Sequence, residues 1–327
     1  MDKYSKDFIS ALERGDLQTI KTVPKSDLHN HSALGSPFEK LQQWYGKPLT
    51  PPPFRLNGIR DFDAYLFREL RHAILTPDGY KYAFEASFRH ALEDGVKVLE
   101  MSIDIWFLGL FNGDAGRWIR FLDTVAEPYK DKIFFIPQLG FPRELNLKDN
   151  LDNIIIAIKT GFFRSIDLYG DEQAAEPETF REIFSIARKS GLRLKAHASE
   201  FGNASSIRYA VEVLGLDEVQ HGISAAQSEE VMDWLKERGT QLNICPSSNV
   251  ALGCVGDIKR HPIRTLFDHG IKVTVNSDDL MIFGQSVSDE YLNLFKAEVL
   301  TARELDTVRC RGLAEAEYYS SNRAKSD

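Results

Sequence analysis

Cysteine is scarce in this 327-residue chain: there are three, Cys245, Cys254 and Cys310, with no Cys-x-x-Cys spacing among them. An odd, widely spaced set excludes a disulfide framework and a zinc ribbon, and it makes a reducing cytoplasm the expected compartment. No apolar run approaches the roughly 20 residues that a bilayer crossing needs, so no membrane partner is expected. The opening stretch MDKYSKDFISALERGD is amphipathic and acidic, without the basic start and apolar run of a secretory leader. Positive charge is in deficit: 40 Lys and Arg against 48 Asp and Glu give a net charge of -8. That balance argues against a broad nucleic-acid-binding face. Internal repeats and low-complexity tracts are missing too. After the first apolar run the chain reads ALGSP (33–37), not Gly-x-Gly-x-x-Gly, so a dinucleotide-binding sheet finds no support.

What is present is an ordinary globular balance, 43% hydrophobic and 27% charged. Eight short apolar, often β-branched runs can be placed: 25–32, 97–104, 132–140, 165–170, 193–199, 218–222, 241–246 and 272–279. Segments of helical periodicity separate the later ones, at 176–191, 203–215, 228–239 and 261–270, and each ends in glycine, the usual residue past a helix C-terminus. Strict strand–helix alternation calls for parallel strands with right-handed crossovers, and eight units suit a closed barrel. The expected fold is therefore α/β, a single (β/α)8 TIM barrel over residues 1–327. It carries a long insertion at 35–95 after the first strand and extra helices at the C-terminus, which end in a frayed polar tail. Within the insertion, GKPLTPPPFRLNG (46–58) holds four prolines and cannot be a regular helix or a central strand. An excursion leaving the C-terminal face is placed to serve as a lid or as a structural cover.

The polar chemistry collects where these runs end. His29 and His31 close the first run, His197 lies near the end of the fifth, His221 ends the sixth, and Asp278 and Asp279 end the eighth. Four of the chain's eight histidines thus fall on the face where barrel enzymes build their sites. His72, His90, His261 and His269 read as helix residues and receive no role. Taken singly, each strand-end residue has a plainer reading as a bonded core histidine or a turn cap. Taken together on one face they form a nitrogen and oxygen ligand set. Three histidines and a carboxylate suit Zn²⁺ with room for water, whose pKa the metal would bring toward neutrality. Glu200, three residues after His197 in HASE, is the candidate proton carrier.

The motifs SDLHNHS (26–32), SIDLYGDE (165–172), HASE (197–200), VQHGI (219–223), NICPSSNVALG (243–253) and VTVNSDDLMIFG (273–284) follow one another in this order. In them the chain resembles the adenosine deaminase family of purine aminohydrolases, within the wider metal-dependent amidohydrolases. The resemblance implies one catalytic zinc held by His29, His31, His197 and Asp278. It implies that Glu200 protonates the purine ring nitrogen beside the amino-bearing carbon, and that His221 orients the attacking hydroxide while Asp278 helps to take its proton. It further implies that Asp279 and the backbone amide of Gly170 hydrogen-bond the purine from opposite sides. The expected reaction is hydrolytic deamination of adenosine or a close derivative to the 6-oxopurine and ammonia. Adenine, adenosine monophosphate and other modified purines are the alternatives.

Two departures from the family pattern stand out. Where adenosine-specific members have Leu-Asp-Gly after the two histidines, with the aspartate on a sugar hydroxyl, this chain has Ser32, Ala33 and Leu34. In EMSID (100–104), Ser102 stands where an arginine is expected. Two rival readings remain. DLHNHS also looks like the start of a multi-metal phosphoesterase of the polymerase-and-histidinol-phosphatase type, but NSDD lacks that family's closing Asp-x-His. A catalytically silent purine-binding barrel is the other, although all seven site side chains are present. Neither the oligomeric state nor the substituent on the purine follows from the residues.

Overall fold

The computed structural model describes residues 3–323. Its eight strands are β1 (Lys25–Asn30), β2 (Val96–Asp104), β3 (Phe134–Pro142), β4 (Ser165–Tyr169), β5 (Arg193–Ala198), β6 (Glu218–His221), β7 (Gln241–Ile244) and β8 (Lys272–Val275). They pair in parallel in sequence order, so the sheet curls into a (β/α)8 barrel. Each of the eight apolar runs overlaps one strand, β2 beginning one residue earlier than expected and β3 ending two residues later. The four helical segments are also found, as Arg181–Lys189 with a preceding 3₁₀ turn, Ala204–Leu214, Glu229–Arg238 and Ile263–His269. Gly215 and Gly239 follow their helices at φ +69°, a left-handed conformation that a side chain would strain.

Strand alternation sorts the residues into two sets. Leu99, Ile103, Leu139, Ile166, Leu194, Val219 and Val273 join the apolar core. The residues between them meet one another as a buried polar network. Lys195 Nζ lies 2.5 Å from Glu100 Oε2 and 2.8 Å from Glu218 Oε2, and Gln138 and Asn243 donate to the same two carboxylates. Below this layer Leu28, Val98 and Ile136 pack against Leu313, Ala316 and Tyr319 of the closing helices. The helices Val287–Lys296, Ala302–Leu313 and Glu315–Arg323 realise the expected C-terminal set, two of them opened by capping boxes at Ser286 and Thr301. The frayed polar tail expected after them lies outside the described residues.

The barrel is closed in an unusual manner between β8 and β1. Instead of a continuous ladder there is a single bridge, Asn30 with Asp278, in which Asp278 N donates to His29 O at 2.9 Å. Side chains supply the rest. Leu28 N donates to Asn276 Oδ1 at 2.8 Å, and Ser277 donates its N–H and its hydroxyl to the two carboxylate oxygens of Asp27 at 3.1 and 2.5 Å. Burial pushes the Asp27 carboxyl up to about 6, against the pull of the Ser277 bonds.

The excursion after β1 holds a helix Phe38–Tyr45, the proline-rich stretch without regular structure, a helix Ile59–Tyr65 that continues through a π turn, and a long helix Pro77–Glu93 capped by Thr76. The stretch is tied down on the loop after β7: Leu56 N donates to Ala251 O at 2.8 Å and Gly58 N to Leu252 O at 3.2 Å. Phe62 then stacks on Phe283 of the segment after β8, with ring centroids 6.0 Å apart. The excursion therefore crosses the face on which the strands end. Because Asn276 supplies the acceptor for a buried strand amide, Asn276→Ala is expected to cost about 1–3 kcal/mol of stability. A urea titration checks this, and an unchanged midpoint would show that the seam does not depend on that bond.

Candidate functional site

Each residue singled out in the sequence reaches one end of the barrel. His29 lies in β1 and His31 one residue past it; His197 lies in β5, His221 closes β6, and Asp278 and Asp279 follow β8. The backbone is bent to bring them inward. Ser32, Ser199, His221 and Asp278 all adopt positive φ, between +35° and +61°, which L-residues rarely hold unless their surroundings enforce it. The reading of Asp279 as a turn cap is not realised, since its side chain makes no capping bond to the helix Leu280–Phe283 that follows.

Three donor atoms face one another across the β1–β8 seam. His29 Nε2 is 3.3 Å from His31 Nε2 and 3.5 Å from Asp278 Oδ1, and His31 Nε2 is 3.4 Å from the same oxygen. The ring of His197 packs against that of His29 at 4.7 Å between centroids, and ligand atoms of His29, His31 and His197 lie within 4.8 Å of one another. Burial brings His31 down to about 4, so its nitrogen is unprotonated. Burial alone would raise Asp278, yet the imidazoles of His29, His221 and His31 outweigh it and hold the carboxyl well below its usual range. Imidazole nitrogens around a carboxylate, with the Asp278 charge in turn raising the pKa of His29, make a donor set that fits a divalent, borderline-soft cation. Cys245 Sγ also comes within reach of His29 and Asp278, but burial pushes its thiol well up, so it offers no thiolate.

Support for this cluster comes from residues to which the sequence reading gave no role. Asp167, on β4, is 3.2 Å from His197 Nδ1 and fixes which ring nitrogen faces inward. Ser102, the unexplained departure, donates to the other oxygen of Asp167 at 3.2 Å. Glu172 accepts the backbone N–H groups of Ser199, Glu200 and Phe201 at 2.7, 2.8 and 3.1 Å, which pins the turn carrying Glu200. Asp167 and Glu172 both lie in SIDLYGDE, and Asn249, 2.9 Å from Glu200 Oε1, lies in NICPSSNVALG. A search for partners of the expected ligands within those motifs was the available signal.

Beside the cluster, His221 Nε2 lies 3.5 Å from Glu200 Oε2 and 3.7 Å from Asp278 Oδ2. Burial, then the charges of Asp278 and Glu172, raises Glu200 well above the usual carboxyl range, the opposite direction from its neighbour Asp278. Burial and the Asp278 charge raise Asp279 as well. Further out, Gly170 sits after β4 at φ +91°, against the Glu144 carboxylate, which accepts Asp171 N–H at 2.6 Å. Asp63, on the excursion, is half-buried and pushed up to about 6 by burial and then by Glu144 and Asp171. Two cations lie nearby: the exposed Arg60, one turn before Asp63 and 3.5 Å from Asp171, and the buried Arg143, which donates to Ala175 O and His197 O and feels the charges of Glu172 and Glu144. Ala33 is 2% exposed in the turn after His31 and brings no polar group.

The adenosine deaminase family model matches residues 139–325. A putative adenosine/adenine deaminase of Treponema pallidum (strain Nichols) is 33% identical over 287 residues, covering 87% of this chain and 95% of that protein. Among solved structures, the adenine deaminase of Arthrobacter aurescens superposes with a TM-score of 0.79 at 22% identity, covering 92% of this chain and 98% of that one. An amidohydrolase from Burkholderia ambifaria with bound Zn gives 0.76 at 20% identity, covering 96% and 91%. Among the described residues no helix is long and apolar enough to cross a membrane.

Because Asp167 bonds His197 Nδ1, Asp167→Asn is expected to weaken divalent-metal binding, measured with Zn²⁺ as the probe, by about 10–100-fold. Competition with a chromogenic chelator measures it, and parental affinity in the variant would remove Asp167 from the account.

Proposed function

This chain belongs to the adenosine deaminase family, and from that premise we propose that it hydrolyses the amino group from an aminopurine, adenosine or a close adenosine derivative, giving the 6-oxopurine and ammonia. One observation carries the reading: buried His221 lies 3.5 Å from Glu200 and 3.7 Å from Asp278, beside three further imidazoles at the strand ends. Two carboxyls driven to opposite protonation states mark an acid and a base.

His29, His31, His197 and Asp278 are the residues that would hold Zn²⁺. The ion, when bound, supplies Lewis-acid activation of the attacking water. Asp279 and the Gly170 amide grip the purine edges, and the lid formed by residues 35–95 excludes solvent from this single-domain barrel. Protonated Glu200 gives its proton to the ring nitrogen beside the amino-bearing carbon and makes that carbon electrophilic. The water oxygen bonds to it as Asp278 takes a proton, with His221 orienting the oxygen. Collapse of the tetrahedral adduct breaks the carbon–nitrogen bond. The hydroxyl proton returns to Glu200 and the proton held by Asp278 leaves with ammonia, so the enzyme is restored.

The mouth bears on the substituent. A 5′-phosphate entering beside Asp63, Glu144 and Asp171 would face three acidic side chains, with Arg60 83% exposed and the buried Arg143 already bonded to the carbonyls of Ala175 and His197. That arrangement favours a neutral sugar, or none, over a nucleotide.

Ammonia release by the zinc-loaded protein from adenine, adenosine, 2′-deoxyadenosine, 5′-modified adenosines, adenosine monophosphate and guanine tests the proposal. Turnover of at least one 6-aminopurine is expected, and silence across the panel would end the deaminase reading. Glu200→Gln is expected to keep its zinc and lose about 10²–10⁴-fold in turnover, as for removal of a general acid; a variant as active as the parent would show that Glu200 is not the acid. Adenosine monophosphate is expected to have a kcat/KM about 10–100-fold below that of adenosine, with Asp63→Asn narrowing the gap, since like charges in contact oppose binding. Equal rates on both in the parent would contradict the acidic mouth.

A further inference from the structure

His261 stands outside the ligand cluster, yet it is buried and tied to it. It precedes the helix Ile263–His269, whose first amide has no acceptor within the helix. Ile263 N donates to His261 Nδ1 at 3.1 Å. Burial keeps this imidazole neutral, its pKa brought down to about 3. A neutral ring that accepts at Nδ1 carries its hydrogen on Nε2. That Nε2 lies 3.2 Å from Asn249 Oδ1 and therefore donates to it.

The consequence travels inward. An Asn249 amide turned the other way would set its NH₂ against the N–H of His261, so only one orientation is allowed. In that orientation Nδ2 faces Glu200 Oε1 at 2.9 Å and His221 Nδ1 at 3.1 Å, with a hydrogen for each. His221 Nδ1 thus accepts, and the ring hydrogen of His221 sits on Nε2. From there it points at the space between Glu200 Oε2 and Asp278 Oδ2. Glu200 Oε1 is likewise taken up as an acceptor, which leaves Oε2 as the oxygen that carries its acidic hydrogen.

We infer that His261 and Asn249 are positioning residues that lock His221 as a hydrogen-bond donor and aim the proton-bearing oxygen of Glu200 into the site. The inference rests on the deaminase reading only for what those two hydrogens serve. With Nε2 protonated, His221 cannot accept a proton from the attacking water, so that task falls to Asp278. His221 instead donates to the oxygen that is gaining negative charge. A chain of four hydrogen bonds, beginning at a helix start, decides which group is donor and which is base.

The test uses zinc-loaded protein with ¹⁵N-labelled histidine, the His221 signals being assigned against His221→Gln. In the parent, His221 should show an unprotonated Nδ1 and a protonated Nε2. Asn249→Asp places an oxygen against Nδ1 and should move the hydrogen there, with kcat down by about 10²-fold or more and KM changed by less than about threefold, as expected when a proton-handling group is misdirected. His261→Phe should give a mixed His221 signal and a smaller loss in kcat, while His261→Gln, which keeps a donor for Asn249, should restore both. A parent spectrum with the hydrogen on Nδ1, or an unchanged tautomer in Asn249→Asp, would overturn the inference. Should His261→Phe fail to fold, the parent and Asn249→Asp spectra still decide it. If the parent releases no ammonia from any aminopurine, the deaminase reading fails while the same spectra settle the tautomer on their own.

Discussion

The seam between β8 and β1 is the constraint on which the site depends. A (β/α)8 barrel must join its last strand to its first, and here the join is made by one backbone bridge and the side chains of Asp27, Asn276 and Ser277. His29 and His31 stand on one side of that seam and Asp278 on the other, with Nε2-to-oxygen distances of 3.5 and 3.4 Å across it. A wider or slipped seam would separate the donors. The bond from Asp278 N to His29 O ties the backbones of two candidate ligands directly together. It also explains the positive φ of Asp278, since the chain must turn sharply there to reach β1 while sending its carboxylate inward.

The second strain on the architecture is the burial of so many polar groups. Barrel interiors are commonly filled by branched apolar residues, whereas this one stacks Lys195 between Glu100 and Glu218. An ion pair in such a place adds little net stability, but losing one partner is costly, so the arrangement is held in a single geometry. Lys195 and His197 sit two residues apart on β5 and point the same way. Whatever fixes Lys195 therefore also fixes the strand that presents His197. Asp167, Glu172 and Asn249 continue this logic upward: Asp167 and Asn249 bond the side chains of His197 and Glu200, and Glu172 pins the backbone that carries Glu200.

The barrel was readable from the chain because its signals are local. Eight apolar runs, helices ending in glycine, and histidines and carboxylates at the run ends are all visible within short windows, and alternation brought His29 and His31 together although His31 lies past the strand. Partners across the barrel were not readable in the same way. Ser102 meets Asp167 across a separation of 65 residues. His261, which reads as a plain helix-start residue, acquires its meaning only because Asn249 lies behind Glu200 and His221. Periodicity gives the face on which a side chain lies, not the side chain that comes to meet it.

The same distinction explains why the ring to be deaminated is better defined than its substituent. The groups that would touch the ring hang from strand ends, whose positions the barrel geometry dictates. Near the proposed substituent, Glu144 and Asp171 follow strands, but Asp63 comes from the excursion, whose course follows from particular docking bonds at Leu56 and Gly58 and from the stacking of Phe62 on Phe283. In sequence Asp63 is an unremarkable acid in IRDFDAY; the crossing turns it into a half-buried carboxyl beside Glu144 and Asp171. Ala33 brings no polar group to the turn after His31, while Asp63 adds a carboxyl near Glu144 and Asp171. Residues outside the strand ends thus set the polarity near the substituent, and selectivity for it can shift in this fold without any alteration to the groups that carry out the chemistry.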